Sequence, residues 1–334
     1  MRHDVRYANG HNPGSLESRV KAMSEINPTA PPAELAFWQV PSWQSYVQRR
    51  SAGRLPHAIL IGSQPGLGGA AFARTLAASL LCHQPLADFY ACGLCRGCKT
   101  YAASSHSDYR EVAALEKRVS IGIDQIRALS LDLSMTPQSG QVQVALVVQA
   151  EQMTHAAANA LLKTLEEPSP QTVLLLQTEQ LGKLIPTILS RCQRLMISAP
   201  ARADGLAWLA EHASGQQNLR ESALDLALGA PELALAMLDD GRVTRFVSLG
   251  QDLSALPQSA DRIRQQWSDK IGEFVGLTSV WMRSESAKAA QHQQRGMLLK
   301  LATHFQSLQK LREWQGTGVR LDLALADWLN GFAG

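Results

Sequence analysis

The stretch that decides the fold is His57-Ala58-Ile59-Leu60-Ile61-Gly62-Ser63-Gln64-Pro65-Gly66-Leu67-Gly68-Gly69-Ala70. Ala58 to Ile61 is an unbroken apolar run. A strand with one wet face would alternate, so an unbroken run marks a strand covered on both faces, as in the middle of a parallel sheet. The Gly- and Pro-containing segment after it has the spacing of a phosphate-binding loop. Phe72, Leu76 and Leu80 then recur every four residues, which puts them on one face of a helix. Strand, glycine loop and helix in this order open a doubly wound α/β sheet.

Working outward, Val142 to Val148 reads as a second buried strand. Thr154 is an N-cap for a helix through Leu161, Leu162 and Leu165 that Pro168 and Pro170 stop. Thr172 to Gln177 is a third strand, and Leu195 to Ile197 a short fourth. The character changes at Ser198-Ala199-Pro200. Residues 202 to about 240 hold two or three short helices around Gly229-Ala230-Pro231, and from about 244 the helices lengthen. Ile263, Trp267, Ile271, Phe274 and Val275 form one apolar stripe; Met297, Leu301, Phe305, Leu308, Leu311 and Trp314 form another. Trp267, Trp281, Trp314 and Trp328 are expected in helical cores. The expected organisation is a disordered extension over 1–34, an α/β domain over 35–199, a small helical domain over 200–243 and an all-α domain over 244–334.

Composition bounds the function. Of 334 residues 45% are hydrophobic, enough for full-sized cores and too many for a disordered chain. Lys and Arg (32) against Asp and Glu (29) leave +3, too little to mark a chain that coats nucleic acid. Basic loop residues such as Arg49, Arg50 and Arg54 are therefore no basis for a DNA surface. No apolar run approaches the ~18–20 residues of a membrane helix. Met1 to Pro31 is polar, without an apolar signal segment, so a cytoplasmic protein is expected.

The loop keeps the architecture of a nucleotide site and lacks its chemistry. A working loop offers a Lys to the β- and γ-phosphates and a hydroxyl to Mg²⁺. Ser63, Gly66 and Gly68 keep the frame, but Gly69 and Ala70 stand where those two groups belong. The second strand ends Val147-Val148-Gln149-Ala150, with no carboxylate to hold Mg²⁺ or polarise water before Glu151. No ATP is expected to bind. Cys82, nine intervening residues, then Cys92-Gly93-Leu94-Cys95-Arg96-Gly97-Cys98 supply four thiolates, three at C-x-x-C spacing. Four clustered soft ligands with no open position suit a structural Zn²⁺, with Gly93 and Gly97 relieving the turns. Reduced free thiols or a redox pair are the alternatives, and His83 is redundant as a ligand. In Ser190-Arg191-Cys192, Arg191 suits a phosphoryl group on a neighbouring subunit or, more plainly, a surface ion pair. Glu166 and Glu167 are consecutive, do not face each other on a helix, and read as solvated charge.

The run Asn159-Ala-Leu-Leu-Lys-Thr-Leu-Glu-Glu-Pro168 together with Thr187-Ile-Leu-Ser-Arg-Cys192 closely resembles the clamp-loader family of bacterial replication, AAA+ proteins of the DNA polymerase III holoenzyme. The likeness is specific over about residues 37–200. It continues through Gly229-Ala-Pro-Glu-Leu-Ala-Leu235 and Val319-Arg-Leu-Asp-Leu-Ala-Leu-Ala-Asp-Trp328. It implies an AAA+ domain with a zinc module at about 82–98, a helical lid and a helical collar that packs into a five-subunit ring. Its zinc ligands fall on Cys82, Cys92, Cys95 and Cys98, and its trans-acting arginine finger on Arg191. Glu232 stands where the motor subunits carry an ATP-sensing Arg. The implied role is a non-hydrolysing arm of the complex that loads the sliding clamp onto primed DNA, with gamma/tau ATPase subunits and the delta subunit as partners. Two other readings stay open here: an active motor with an atypical phosphate loop, and a zinc module that binds nucleic acid by itself.

Overall fold

The computed structural model describes residues 35–115, 120–139, 142–213, 215–314 and 319–333; the extension expected over 1–34 lies outside them. The described residues divide into two compact units, the first running up to Ser63 and over Gly68–Ile197, the second made of Gln64–Leu67 and the residues from Ser198 on. In the first unit, strands β1 (Ala58–Gly62), β2 (Tyr109–Val112), β3 (Gln143–Val147), β4 (Thr172–Thr178) and β5 (Gln193–Met196) form one sheet in the order β2-β3-β4-β1-β5. All its pairings are parallel, with Ala58 opposite Leu174 and Leu146 opposite Leu175. The helices of this unit are α1 (Val40–Ser51), α2 (Gly69–Leu81), α3 (Arg96–Ala102), α4 (Ile123–Leu133), α5 (His155–Glu166) and α6 (Pro186–Arg191).

Every residue of β1, β3 and β4 is buried, which is why these three read as unbroken apolar runs. Leu60, Val147, Leu174 and Leu176 meet Ile126 and Leu129 of α4, Leu161 and Leu165 of α5 and Ile188 of α6 in one core. Side chains alternate along a strand, so Ile59, Ile61 and Leu146 point to the other face. Each fully buried Leu or Ile here contributes about 1.5–3 kcal/mol. Thr154 caps α5, its hydroxyl accepting the N–H of Ala157 at 3.2 Å, and the helix stops ahead of Pro168.

The sheet has a strand that the apolar pattern does not announce. Tyr109-Arg-Glu-Val112 is the half-exposed edge strand β2, and its surroundings are polar. Arg74 of α2 makes a two-nitrogen contact with Glu111 (2.7 and 3.2 Å), and the Tyr109 hydroxyl donates to the same carboxylate at 2.6 Å. The strand is held by a charge-assisted network as well as by its ladder. The other edge strand, β5, begins with the exposed Gln193 and Arg194, two residues before the apolar stretch, and ends at Met196.

The second unit holds α7 (Arg202–His212), α8 (Arg220–Leu226), α9 (Pro231–Asp239), α10 (Arg242–Ser254), α11 (Ala260–Trp267), α12 (Ile271–Gln291), α13 (Arg295–Glu313) and α14 (Leu321–Ala333), with no strand among its described residues. The stripe from Ile263 to Val275 is buried but belongs to two helices, α11 and α12, separated by a 3₁₀ turn at Ser268–Lys270. Phe274 meets Trp328 edge-on at 5.8 Å, and Trp328 stacks on Phe332 at 5.2 Å. Trp314 departs from the core expectation. It follows the last turn of α13 and is 37% exposed, where Leu308 and Leu311 on the same helix are buried. No helix of the described residues is long and apolar enough to cross a membrane.

Candidate functional site

The four clustered cysteines converge. Cys82 terminates α2, Cys95 N-caps α3, Cys98 lies in the first turn of α3, and Cys92 precedes both turns; their sulfurs all lie within 4.8 Å of one another. Cys82–Cys95 and Cys92–Cys98 are both 3.9 Å apart. A tetrahedron with ~2.3 Å metal–sulfur arms has edges of about 3.8 Å, so the spacing fits one metal ion with all four thiolates. The backbone is arranged for thiolates. The N–H groups of Cys92, Cys95 and Cys98 point at the sulfurs of Cys82, Cys92 and Cys95 at 3.3, 3.3 and 3.4 Å. At Cys95 burial opposes ionisation, but N–H donors from Cys98 and His83 and the neighbouring thiols prevail, and the thiol falls to about 6. Burial, with the adjoining Cys82 and Cys95 thiols, pushes the Cys98 thiol up.

The two glycines of this module serve different ends. Gly93 takes φ +72°, the left-handed conformation that closes the first turn. Gly97 does not relieve a turn as expected: it is helical within α3, and a Cβ there would lie 2.3 Å from the Leu81 carbonyl oxygen. Its role is to let α3 approach the end of α2. The same hypothetical Cβ would lie 3.2 Å from His83 Nε2, and that ring is not among the converging ligands.

The loop after β1 turns on two left-handed glycines. Gly66 and Gly68 adopt φ +79° and +71°, and the Gly68 carbonyl accepts from Gln39 Nε2 at 3.3 Å. Its interior is filled differently. An ideal Cβ on Gly69 would stand 2.2 Å from Ser63 Oγ, 3.0 Å from Ser63 Cβ and 3.3 Å from Gln177 Nε2. In its rotamer here the Ser63 hydroxyl takes the space that a Cβ at 69 would need. Ala70 follows in the first turn of α2 and carries no oxygen for a metal ion. Gln149, at the end of β3, holds φ +52° and donates its N–H to Gln177 Oε1 at 2.9 Å. Gln177 is fully buried, and its Nε2 is without a hydrogen-bond partner, as is Ser63 Oγ. This glutamine escaped the sequence reading. The signal was present, as the lone amide in the apolar run Val173 to Thr178.

Arg191 ends α6 and is exposed. Next to it Cys192 is extended and buried in the sheet core, where burial pushes its thiol up to about 11. Burying one neighbour turns the other outward. The guanidinium is already engaged: Nη2 lies 2.6 Å from Glu166 Oε1 and Nη1 donates to the Thr187 carbonyl at 3.1 Å. Glu166 is thus an ion-pair partner of Arg191, where consecutive acidic residues suggested only solvated charge. Arg50 packs its guanidinium over Phe89 at 4.5 Å and donates to the Ser79 carbonyl, so it is structural. In the second unit Glu232 sits in the first turn of α9, where burial raises its carboxyl above the usual range.

Residues 38–201 match the family described as DNA polymerase III, delta subunit. Curated relatives are similar over a longer stretch. The DNA polymerase III subunit delta' of Escherichia coli K12 is 35% identical over 67% of this chain and 67% of its own length. That of Yersinia pestis is 35% identical over 71% and 78%. The Pseudomonas aeruginosa protein of the same name is 40% identical over 60% of this chain, the match spanning 61% of that protein. Among solved structures, a gamma subunit-related protein of Thermotoga maritima covers 87% of this chain and 98% of its own at TM-score 0.42 and 18% identity.

Proposed function

The chain belongs to the family of DNA polymerase III delta' subunits, and from that premise we propose that it is the non-hydrolysing arm of the bacterial clamp loader. By itself it is no enzyme. It works in the cytoplasm beside gamma/tau ATPase subunits and the delta subunit, in a complex that opens the sliding clamp and places it on primed DNA. The first unit is its AAA+ domain; within the second, residues 200–243 act as the lid and residues 244–334 as the collar that joins the ring. Cys82, Cys92, Cys95 and Cys98 hold one structural Zn²⁺, which ties the end of α2 to α3. Arg191 reaches the ATP of a neighbouring motor, where its planar fork stabilises charge on the transferring phosphoryl group.

The observation that carries this reading is that Ser63 Oγ lies where a Cβ on residue 69 would have to stand. An active site lacking only its lysine would be a chance loss. Here the place of that side chain is taken by another residue, and the hydroxyl at 70 and the carboxylate at 149 are missing as well. Such a site lacks the side chains that hold Mg²⁺ and the β- and γ-phosphates. The alternative of an active motor needs at least one of those groups. Equilibrium dialysis of the purified chain against Mg-ATP tests it: no binding at micromolar nucleotide is expected, with co-purification of gamma/tau and delta. Micromolar affinity would return the protein to the motor class.

A further inference from the structure

We propose that Glu166 is a positioning residue for Arg191, holding the guanidinium ready for the phosphoryl group of a neighbouring subunit; this rests on the trans role of Arg191 proposed above. The two residues are brought together by helix termination. Glu167 precedes Pro168 and leaves the helical region (φ −124°, ψ 67°), so α5 ends with Glu166 on its last turn. Arg191 ends α6 in the same way, where Cys192 turns extended. Glu166 Oε1 meets Nη2 at 2.6 Å, while Thr187, one turn back on α6, takes Nη1 at 3.1 Å through its carbonyl oxygen. Ser190 Oγ lies 3.5 Å from Nη1. Anchors on two different elements thus fix the plane of the fork. A guanidinium has five N–H groups, and these contacts leave at least two for a phosphate.

Magnitudes decide between holding the arginine ready and holding it back. The side chains of Arg191 and Glu166 are 35% and 50% exposed. An exposed pair of this kind shifts an equilibrium by at most about fivefold. One carboxylate so weakly bound does not withhold an arginine from a triphosphate carrying several charges. An unheld arginine, by contrast, forfeits rotamer freedom worth up to about thirtyfold when it is immobilised. Paying part of that loss in advance is what a weak, well-oriented pair can do. Glu166 therefore acts on the rate of the neighbour's reaction and leaves its ATP affinity alone.

The test is a double-mutant cycle in the reconstituted clamp loader, reading steady-state ATP turnover against ATP concentration. Glu166→Ala should lower the Arg191-dependent part of turnover about two- to fivefold at unchanged KM, and Glu166→Gln, which keeps an acceptor oxygen, should restore part of it. In an Arg191→Ala background, Glu166→Ala should change nothing further. Wild-type turnover with Glu166→Ala, beside an impaired Arg191→Ala complex, would overturn the positioning role. So would an equal loss in both backgrounds, since Glu166 would then act by another route. Wild-type turnover with Arg191→Ala would instead remove the trans role on which the proposal stands.

Discussion

Ser63 Oγ stands 2.2 Å from the point where a Cβ on Gly69 would sit. The two positions are sterically coupled: a Cβ at 69 requires the Ser63 hydroxyl to turn away and its Cβ to give by a few tenths of an ångström. Gly69→Lys alone should therefore destabilise the protein by about 1–3 kcal/mol through overpacking at the end of β1. Adding Ser63→Gly should recover most of that loss. Denaturant midpoints at constant m-value report both effects. The double variant should still fail to bind Mg-ATP, because Ala70 and Gln149 remain.

The four thiolates should carry one Zn²⁺ per chain, measured by elemental analysis, with metal–sulfur distances of ~2.3 Å by X-ray absorption. Cys95→Ser should lower the zinc content. Its effect on structure should stay local, because the core formed by Leu60, Leu161, Leu174 and Ile188 does not use the module. Hydrogen exchange after chelation should quicken over residues 82–102 and leave β1, β3 and β4 protected. Cys192 should stay unreactive to thiol reagents in the native protein whether or not the metal is present, because it is buried and its thiol is raised.

Asp108 supplies a pH signature. It is buried, which alone would raise its carboxyl, but the N–H groups of Gln138 and Ser139 (2.7 and 2.8 Å) and the nearby His106 hold it below the usual carboxylate value. A folded-state value below the unfolded one gives stability that is full above the unfolded pKa of about 3.9 and is lost as pH falls through the folded pKa. Asp108→Asn should cost about 1–3 kcal/mol at neutral pH. The gap between wild type and variant should hold steady above about pH 5 and close below about pH 4.

The parts of the fold legible in the sequence are those whose burial is complete. Ala58–Gly62, Gln143–Val147 and Thr172–Thr178 are wholly buried strands, as the central strands of a parallel sheet covered by helices on both faces are. Tyr109–Val112 stayed hidden because an edge strand needs apolar residues on one face at most, and here polar contacts to Arg74 replace even those. The cysteine spacing announced its cluster. The loop showed what it lacks, namely a lysine and a hydroxyl, but not that Ser63 fills the gap, because that contact joins residues six positions apart through the turn of the loop. Glu166 and Arg191 are farther apart still in sequence. Each looked like ordinary surface charge until α5 and α6 placed them side by side.

The most direct test of the account replaces Arg191 in the assembled clamp loader and reads DNA-stimulated ATP turnover together with clamp loading. Arg191→Ala should leave zinc content, stability and ring assembly intact, since the side chain is exposed and its ion pair is worth less than about 1 kcal/mol. Turnover and clamp loading should fall, because the one site facing this subunit loses a group that contributes about 10³–10⁵-fold in well-characterised arginine fingers. Arg191→Lys should rescue poorly, a point charge lacking the planar fork. A complex with Arg191→Ala that hydrolyses ATP and loads clamps at the wild-type rate would contradict the account, and Arg191 would be a surface ion pair with Glu166 and nothing more.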